Sequence, residues 1–418
     1  MQNLPGFRDF YPNDCARRNY ILATWREVAR RYGFVEYDGP VLEPIELYEK
    51  KSGGELIGQL FDFPDKAGRH VAMRPEMTPT LARMVAAREK DFKKPLKWFC
   101  CPQFFRYEKQ QRGRLREFYQ LNADIVGEAS FAADVELVSL AIDVLRGFGF
   151  TEKDFVVRIC DRSIWVNFFA ENGGDLRRST EFLRVIDKIG REDDTTSEAK
   201  LKEFGIGLSR VRDFMAKPYA DAGLEATLRE LEKRDLAIFT ELDSAIVRGL
   251  AYYTGFVFEI FDRGKRERAL AGGGRYDNLL SLMSDGKVSL PALGFGMGDV
   301  VLANLIDDTP RAKAKMDAWI AQEHAADIFV VIAKEERRPE ALAILQQLRD
   351  AGLRVDFPLT AEKVGRQFQA AGQAGAELAV LVGDEWPQLT IKTLATRRED
   401  KILHTELADW LRNRQEGG

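Results

Sequence analysis

The chain has 418 residues, enough for two or three domains that each bury a core. Hydrophobic residues make up 45% and charged residues 31%, a globular balance, and a formal net charge of −4 excludes a basic nucleic-acid coat, so any RNA contact must use local basic patches. Cys15, Cys100, Cys101 and Cys160 form no C-x-x-C pair and have no histidine set nearby, which excludes a zinc site or disulfide framework and fits a reducing cytoplasm.

The N-terminus lacks a basic stretch followed by an apolar core, and no segment has the apolar length of a membrane span. A cytosolic protein with no membrane contact is expected. His70, His324 and His404 lie outside every motif below, which argues against Ser-His or Cys-His nucleophilic chemistry. An enzyme built this way would work by positioning and charge.

In chain order, Pro12-Asn-Asp14 opens a helix on which Ile21, Leu22, Trp25, Val28, Ala29 and Tyr32 recur at helical spacing until Gly33. An extended segment from Phe34 to Glu43 follows, with Pro40 suiting an edge or bulge. In Arg74-Pro-Glu-Met-Thr78, Glu76 and Thr78 stand two residues apart, on one side of an extended chain, and such a pair can hold an ammonium group. Thr78 can equally cap the helix from Pro79 to Val85.

Lys97 to Glu108 and Glu117 to Glu128 read as strands of a hairpin whose loop carries Lys109, Arg112, Arg114 and Arg116. Those cations could reach nucleic-acid phosphate, although hairpin tips are often charged because they are solvated. Arg106 and Glu108 share one face of the first strand; Phe118, Gln120, Asn122 and Asp124 share one face of the second. A polar face around one aromatic suits a pocket with a platform for a base better than a core.

A helix is expected over 134–147. From about Asn172 to Thr240 the texture becomes charged and helical, through Phe182, Leu183 and Ile186, then Leu201, Phe204 and Ile206, then Leu224, Leu228 and Leu231. Sheet-like alternation resumes only after Val247, so this stretch reads as an insertion. Two runs follow, Arg248-Gly-Leu-Ala-Tyr-Tyr-Thr-Gly and Ala271-Gly-Gly-Gly-Arg-Tyr-Asp277, separated by the strand-like Phe256 to Phe261. Each joins bare backbone, which lets a ligand approach, to an arginine fork and aromatic hydroxyls. Alone, either could be a hairpin with a surface arginine; one strand apart they indicate a site for phosphate and a small polar substrate.

A linker is expected near Asp307-Asp-Thr-Pro310. Beyond Glu323, strands at 327–333, 353–357, 377–382 and 389–394 alternate with helices at 339–351, packed through Leu342, Leu345 and Leu348, and at 360–371, packed through Val364 and Phe368. That pattern predicts a small, mostly parallel sheet covered on both faces.

These segments resemble the class II aminoacyl-tRNA synthetases, and within them the histidyl-tRNA synthetase family. Leu4-Pro-Gly-Phe-Arg-Asp-Phe-Tyr-Pro12 resembles that family's opening, Gly33 to Glu43 its dimer-forming motif 1, and Phe105-Arg-Tyr-Glu108 through Phe118-Tyr-Gln120 its motif 2. The runs at 248–253 and 272–277 resemble the two signatures that mark the histidine enzyme within the class. The resemblance implies an α+β catalytic domain with an antiparallel sheet flanked by helices, in two parts (1–171 and 241–310). It also implies a helical insertion (172–240) and an α/β anticodon-binding domain (323–418).

The same resemblance implies a cytoplasmic, homodimeric histidine–tRNA ligase that uses ATP as substrate with Mg²⁺ bridging its phosphates, with no metal held by a protein site. Its partners would be L-histidine, ATP and the tRNA for histidine. By position, Glu76, Thr78 and Gln120 would hold the substrate ammonium, and Asp124 and Tyr253, with Tyr252 beside them, would read the imidazole. Arg106 and Arg248 would act on the carboxylate and α-phosphate, Phe118 would stack on adenine, and Glu108, Arg112 and Arg275 would complete the ATP site. Reading an imidazole with paired polar groups rejects look-alikes strongly. Lys363, Arg366, Lys392, Arg397 and Arg398 are candidate RNA contacts in the tail, though such cations are mostly just solvated.

Three departures stand out. Asp124 replaces a glutamate usual in the family, and Ala251 an aspartate. In Gly294-Phe-Gly-Met-Gly-Asp-Val-Val-Leu302, which resembles motif 3, Val301 stands where an arginine usually covers adenine and the γ-phosphate. No arginine occurs between Arg275 and Arg311, so Arg112, Arg114 or Arg275 would have to substitute. The alternative is a non-catalytic paralogue serving as regulatory subunit of ATP phosphoribosyltransferase; the missing arginine favours it, whereas the α/β tail and the retained Arg106 and Arg248 oppose it.

Overall fold

A computed structural model describes residues 2–50, 57–109, 111–248, 252–264 and 268–416. The chain divides into two compact units, Met1–Lys315 and Met316–Gly418.

In the first unit, α1 (Pro12–Arg31) opens with a proline whose missing N–H is one of the donors a helix start leaves free anyway. It buries Tyr20, Ile21, Leu22, Trp25, Val28 and Ala29, the stripe its periodicity indicates. Next come β1 (Val35–Glu36), β2 (Leu42–Pro44), β3 (Asp62–Pro64), β4 (His70–Met73) and α2 (Thr78–Ala87). Strands β2, β4 and β3 form a small sheet in that order. Then follow β5 (Leu96–Cys100), β6 (Gln103–Phe105), β7 (Glu117–Val126), α3 (Phe131–Gly147) and β8 (Phe155–Asp161).

Next comes α4 (Ser163–Glu171), and within 172–240, where an insertion is expected, lie α5 (Ser179–Lys188), α6 (Asp194–Lys202), α7 (Leu208–Met215) and α8 (Ala222–Glu232). The chain then returns to the sheet as β9 (Thr240–Leu242), β10 (Phe256–Asp262), β11 (Ala271–Arg275) and β12 (Ala292–Gly298), before α9 (Asp299–Asp308) and α10 (Pro310–His324).

The large sheet has the order β1-β5-β7-β12-β11-β10-β8-β9, with β6 pairing beside β7. Its interior pairs are antiparallel, as the resemblance implies, but β1 with β5 and β8 with β9 are parallel, so the margins are mixed. Arginine-rich and glycine-rich segments thus end up on neighbouring strands.

Four local expectations change. The stretch 97–108 is two strands, because Pro102 has no N–H to extend the ladder and its carbonyl accepts from Gln120 N at 3.2 Å. Strand β6 stops at Phe105, so Arg106 and Glu108 lie beyond it rather than on a strand face. The residues from Pro75 to Met77 bend, with Met77 in the right-handed helical region, so Glu76 and Thr78 are not two positions of an extended chain. Asp307–Pro310 is a joint between two helices rather than an open linker: Asp308 ends α9 and Pro310 begins α10.

The second unit contains β13 (Ile328–Ile332), α11 (Arg338–Asp350), β14 (Val355–Asp356), α12 (Val364–Gln373), β15 (Leu378–Val382), β16 (Gln388–Thr393), β17 (Glu399–Leu403) and α13 (Leu407–Glu416). The sheet order is β14-β13-β15-β16-β17; the first three strands are parallel and the last two antiparallel, so it is less parallel than the alternation suggests. Ile328, Val330 and Ile332 pack with Ile344, Leu345 and Leu348 on one face, and Phe329 and Val331 with Ala371 and Ala379 on the other. Leu342 instead points outward, at 38% exposure. Buried Gln367 accepts from Ile332 N and donates to the carbonyls of Ile332 and Glu362, each at 2.8 Å, pinning α12 to the strand.

One apolar cluster runs from Trp165, Phe168 and Phe169 on α4 and Phe182 on α5 to Tyr253 and Tyr276 beside the sheet. Phe182 stacks on Phe169 at 4.4 Å and has Trp165, Phe168 and Phe204 at 6.3, 6.4 and 5.7 Å. Fully buried aromatic truncations cost about 3–5 kcal/mol. Phe182→Ala should therefore lower unfolding stability by about that amount in a guanidinium titration, and a loss below about 1 kcal/mol would refute this role for the ring.

Candidate active site

The floor of the site is made of missing side chains. In the register of β11 and β12, Gly272 faces Gly296 and Gly274 faces Gly294; on β7, Asn122 and Asp124 lie opposite Gly296 and Gly294. Alternation puts these positions on one face of the sheet. A Cβ at Gly272 would stand 1.5 Å from Arg248 Nη1, and one at Gly294 would stand 2.0 Å from Asp124 Oδ1. Only glycine leaves room for those groups to lie across the strands.

Asp124 is buried and accepts a 2.5 Å hydrogen bond from the Tyr276 hydroxyl. Burial, followed by the charge of Asp124, pushes the Tyr276 phenol well above its ordinary value, so it stays neutral and donates. Tyr252 is raised by burial too, then by Tyr253 and by the charge of Glu76. The rings of Tyr252 and Tyr253 are 4.7 Å apart, and those of Tyr252 and Tyr276 meet edge-on at 6.1 Å.

Arg248 has a backbone φ of +53°, a left-handed conformation uncommon outside glycine. Its Nη1 lies 3.0 Å from Glu259 Oε1 and its guanidinium carbon 5.4 Å from the Tyr253 ring centre. Burial opposes its charge, but Tyr253, Glu259 and Tyr252 outweigh that and hold its pKa above the usual guanidinium value. Its Nε is buried with no hydrogen-bond partner. A permanently charged donor kept dry and unsatisfied suits an anion.

A second group lies around Phe118. Arg106 Nε donates to Pro75 O at 2.8 Å, next to Glu76, and its guanidinium carbon lies 5.3 Å from the Phe118 ring centre. Phe104 covers Phe118 at 5.8 Å. Glu108 is buried, 2.6 Å from Arg114 Nε and 4.0 Å from Arg106 Nη1. Arg112 is well exposed in the loop, 3.6 Å from Asp308. Arg116 lies over the Tyr107 ring at 4.1 Å. Gln120 runs under the Gly296 position, and Thr78 is the half-buried first residue of α2.

Arg275, expected at the nucleotide, is placed elsewhere. Alternation turns it to the opposite face from Gly272 and Gly274, where Nε meets Asp134 at 2.8 Å and Nη1 and Nη2 donate to the carbonyls of Glu128 and Ser130 at 3.2 and 2.7 Å. It therefore cannot replace the motif 3 cation. The same alternation brings Tyr276 to the site face, a residue the sequence reading overlooked although period two in Gly272, Gly274 and Tyr276 carries the signal. Val301 is buried in α9. Ala251 lies outside the described residues. In the tail, Lys392 and Arg398 pair with Glu399 and Asp400 near the surface.

Among the described residues, no group of three or more His, Cys, Asp or Glu side chains could hold a metal ion, and no helix is long and apolar enough to cross a membrane.

Comparison with known proteins gives a consistent answer. The family model described as histidyl-tRNA synthetase matches residues 6–299, and the anticodon binding domain model matches 327–414. A histidine–tRNA ligase of Opitutus terrae is 42% identical over 99% of this chain and 98% of its own. A crystal structure of histidyl-tRNA synthetase from Nostoc sp. PCC 7120 superposes with a TM-score of 0.74 at 23% identity, covering 99% of each chain. A protein of Bacillus halodurans described as an ATP phosphoribosyltransferase regulatory subunit/histidyl-tRNA synthetase gives a TM-score of 0.70 at 22% identity, over 91% of this chain and 98% of that one. At those identities the two structures bear on fold alone.

Because burial and the charge of Asp124 hold Tyr276 well above the ordinary phenol value of 10.0, it should remain protonated at that pH. Tyr276→Phe should leave the phenolate absorbance reached at pH 10.0 unchanged, and a drop equal to one phenolate would contradict the buried pairing with Asp124.

Proposed function

The chain belongs to the histidyl-tRNA synthetase family, and from that premise we propose that it is a histidine–tRNA ligase. It would join L-histidine to ATP as histidyl-adenylate, release pyrophosphate, and pass histidine to the 3′ end of its tRNA. The observation that carries the reading is the Asp124–Tyr276 pair beside Arg248 over the glycine floor.

In this reading Asp124 accepts an imidazole N–H while Tyr276 fixes the carboxylate, and Tyr253 faces the other ring nitrogen. Tyr252 supports Tyr253 through ring contact. Glu76, Thr78 and Gln120 take the substrate ammonium. Arg248 Nε, the unsatisfied donor, grips the histidine carboxylate and then the α-phosphate. Arg106, tethered at Pro75 O, brings its remaining N–H groups to the same phosphate, and Phe118 stacks on adenine with Glu108 and Arg112 nearby. A carboxylate oxygen bonds to the α-phosphorus as the bond to the leaving pyrophosphate breaks in line. The arginines stabilise charge that grows on the phosphoryl oxygens. The terminal ribose hydroxyl of tRNA then attacks the activated carbonyl and AMP leaves.

Mg²⁺ would enter as part of the nucleotide substrate, held mainly by phosphate with Glu108 as the candidate protein carboxylate, since hydrated Mg²⁺ needs few protein ligands. Exposed Val35, Val41 and Leu42 near motif 1 suit burial against a second copy in a cytoplasmic homodimer. The second unit would read the anticodon. Buried Val301 favours the regulatory-subunit alternative, which needs no ATP turnover.

A histidine-dependent ATP–pyrophosphate exchange assay decides between them. Exchange is expected with the native protein; its absence in the presence of Mg²⁺ would sink the ligase reading. Asp124→Asn should raise KM for histidine about 10–100-fold by mispairing the buried Tyr276 and imidazole. Arg248→Ala should lower kcat about 100–1,000-fold with folding retained, and a change under about threefold would remove it from the reacting centre.

A further inference from the structure

The geometry points to Arg8 as a positioning residue for the adenine platform. This inference rests on the reading of Phe118 as that platform. The N-terminal arm runs along the side of β6 and β7 away from the site: Gly6 O accepts from Arg116 N and Glu117 N at 3.0 and 3.3 Å, and Phe7 stacks on Phe105 at 6.3 Å. Phe10 meets Tyr119 edge-on at 6.2 Å, and both Arg8 and Arg18 lie over the Phe10 ring.

Arg8 joins two buried carboxylates. Its Nε donates to Glu117 Oε1 at 2.6 Å, and its Nη1 lies 3.0 Å from Asp299 Oδ2. Glu117 and Asp299 have side-chain exposures of only 1% and 4%, so neither carboxylate can be neutralised by bulk water. Asp299 Oδ1 accepts from Tyr119 N at 2.9 Å, and Glu117 Oε2 accepts from Gln103 Nε2 at 2.6 Å. The two residues flanking Phe118, one by its side chain and one by its amide, are therefore held through a single guanidinium. Burial raises Asp299 to about 6, while the charge and hydrogen bond of Arg8 pull it the other way.

The position of Asp299 gives the network its meaning. It is the first residue of α9, two positions before Val301, where the resemblance to motif 3 implies an arginine over the nucleotide. Here that segment turns a carboxylate toward the back of the platform instead. With no cation from α9 over adenine, more of the base's hold falls on stacking, and stacking depends on a preorganised ring. Lysine cannot replace the guanidinium fully, because one ammonium lacks the fork that spans two carboxylates.

The test uses the full-length protein with Arg8→Lys and Arg8→Gln. ATP affinity is read by titration calorimetry, KM and kcat by pyrophosphate exchange, and Tm by calorimetry. Arg8→Gln should weaken ATP binding and raise KM for ATP about tenfold, leaving kcat and KM for histidine within about twofold; Arg8→Lys should fall between it and the native protein. A fall in Tm with ATP affinity unchanged would make the network mere scaffold and overturn the proposal, as would parallel changes in kcat and both KM values. If Arg8→Gln does not fold, Arg8→Lys decides alone. Native protein that binds ATP without exchange would sink the ligase reading yet leave the calorimetric comparison to judge Arg8; native protein that binds no ATP would overturn both.

Discussion

Bare backbone at the centre of a twisted sheet is the constraint from which the site follows. Gly272, Gly274, Gly294 and Gly296 sit on adjacent interior strands, where bulky side chains would normally fill the face. Strands that rich in glycine are poor on propensity, losing entropy and packing together. The sheet tolerates them because β11 is bonded on both sides and the opposite face is well covered, with Phe258, Phe295 and Leu293 buried against it. The space released on the near face is filled by charged and phenolic groups that cross the strands laterally. A methyl group at Gly272 would strike Arg248, one at Gly294 Asp124, one at Gly296 Gln120, and one at Gly274 the Phe256 carbonyl and Val257.

Around that floor, buried cations act as ties. Arg74 donates to Asp38 and to Gly39 O, each at 2.8 Å, and to Gln103 O at 3.0 Å, joining the segment before Glu76 to β6. Arg275 secures the turn before α3, and Arg8 secures the strand that carries Phe118. Such pairs add little net stability, because desolvation offsets the Coulomb gain. What they supply is a single arrangement of loops that otherwise have few apolar anchors. The aromatic cluster of α4 and α5 reaches Tyr253 and Tyr276, so the apolar core and the polar site share side chains.

Much of this was legible in the sequence. The periodicity of α1 and α3, the insertion helices and the strand–helix alternation of the second unit follow from apolar spacing alone. Two-residue β1 falls within the extended segment expected from Phe34 to Glu43, but three-residue β9 was not legible, because so short a strand shows no alternation; β17 was not either, since its charged residues face solvent. The break at Pro102 carried its own signal, the missing donor. At the site, residue types were readable but directions were not. Arg275 and Tyr276 are adjacent, yet pleating sends one to a buried ion pair and the other to Asp124. Tertiary pairing decided which of two arginines in glycine-rich runs stayed available.

That selection leaves an unequal set of cations. Arg275 has each of its three terminal nitrogens engaged, Arg114 is drawn to Glu108, and Arg112 stands exposed in the loop near Asp308. Arg248 keeps an unsatisfied buried Nε, and Arg106 is fixed through its own Nε at a carbonyl with the rest of its fork forward. A loop arginine in high dielectric interacts with phosphate several times more weakly than one in a dry cleft at the same distance. In the proposed reaction the transition-state charge would be met chiefly by Arg106 and Arg248, one tethered by backbone and the other braced by Glu259. In that reading the site would rely on preorganisation rather than on the number of positive charges, with Val301 standing where the resemblance implies a cation.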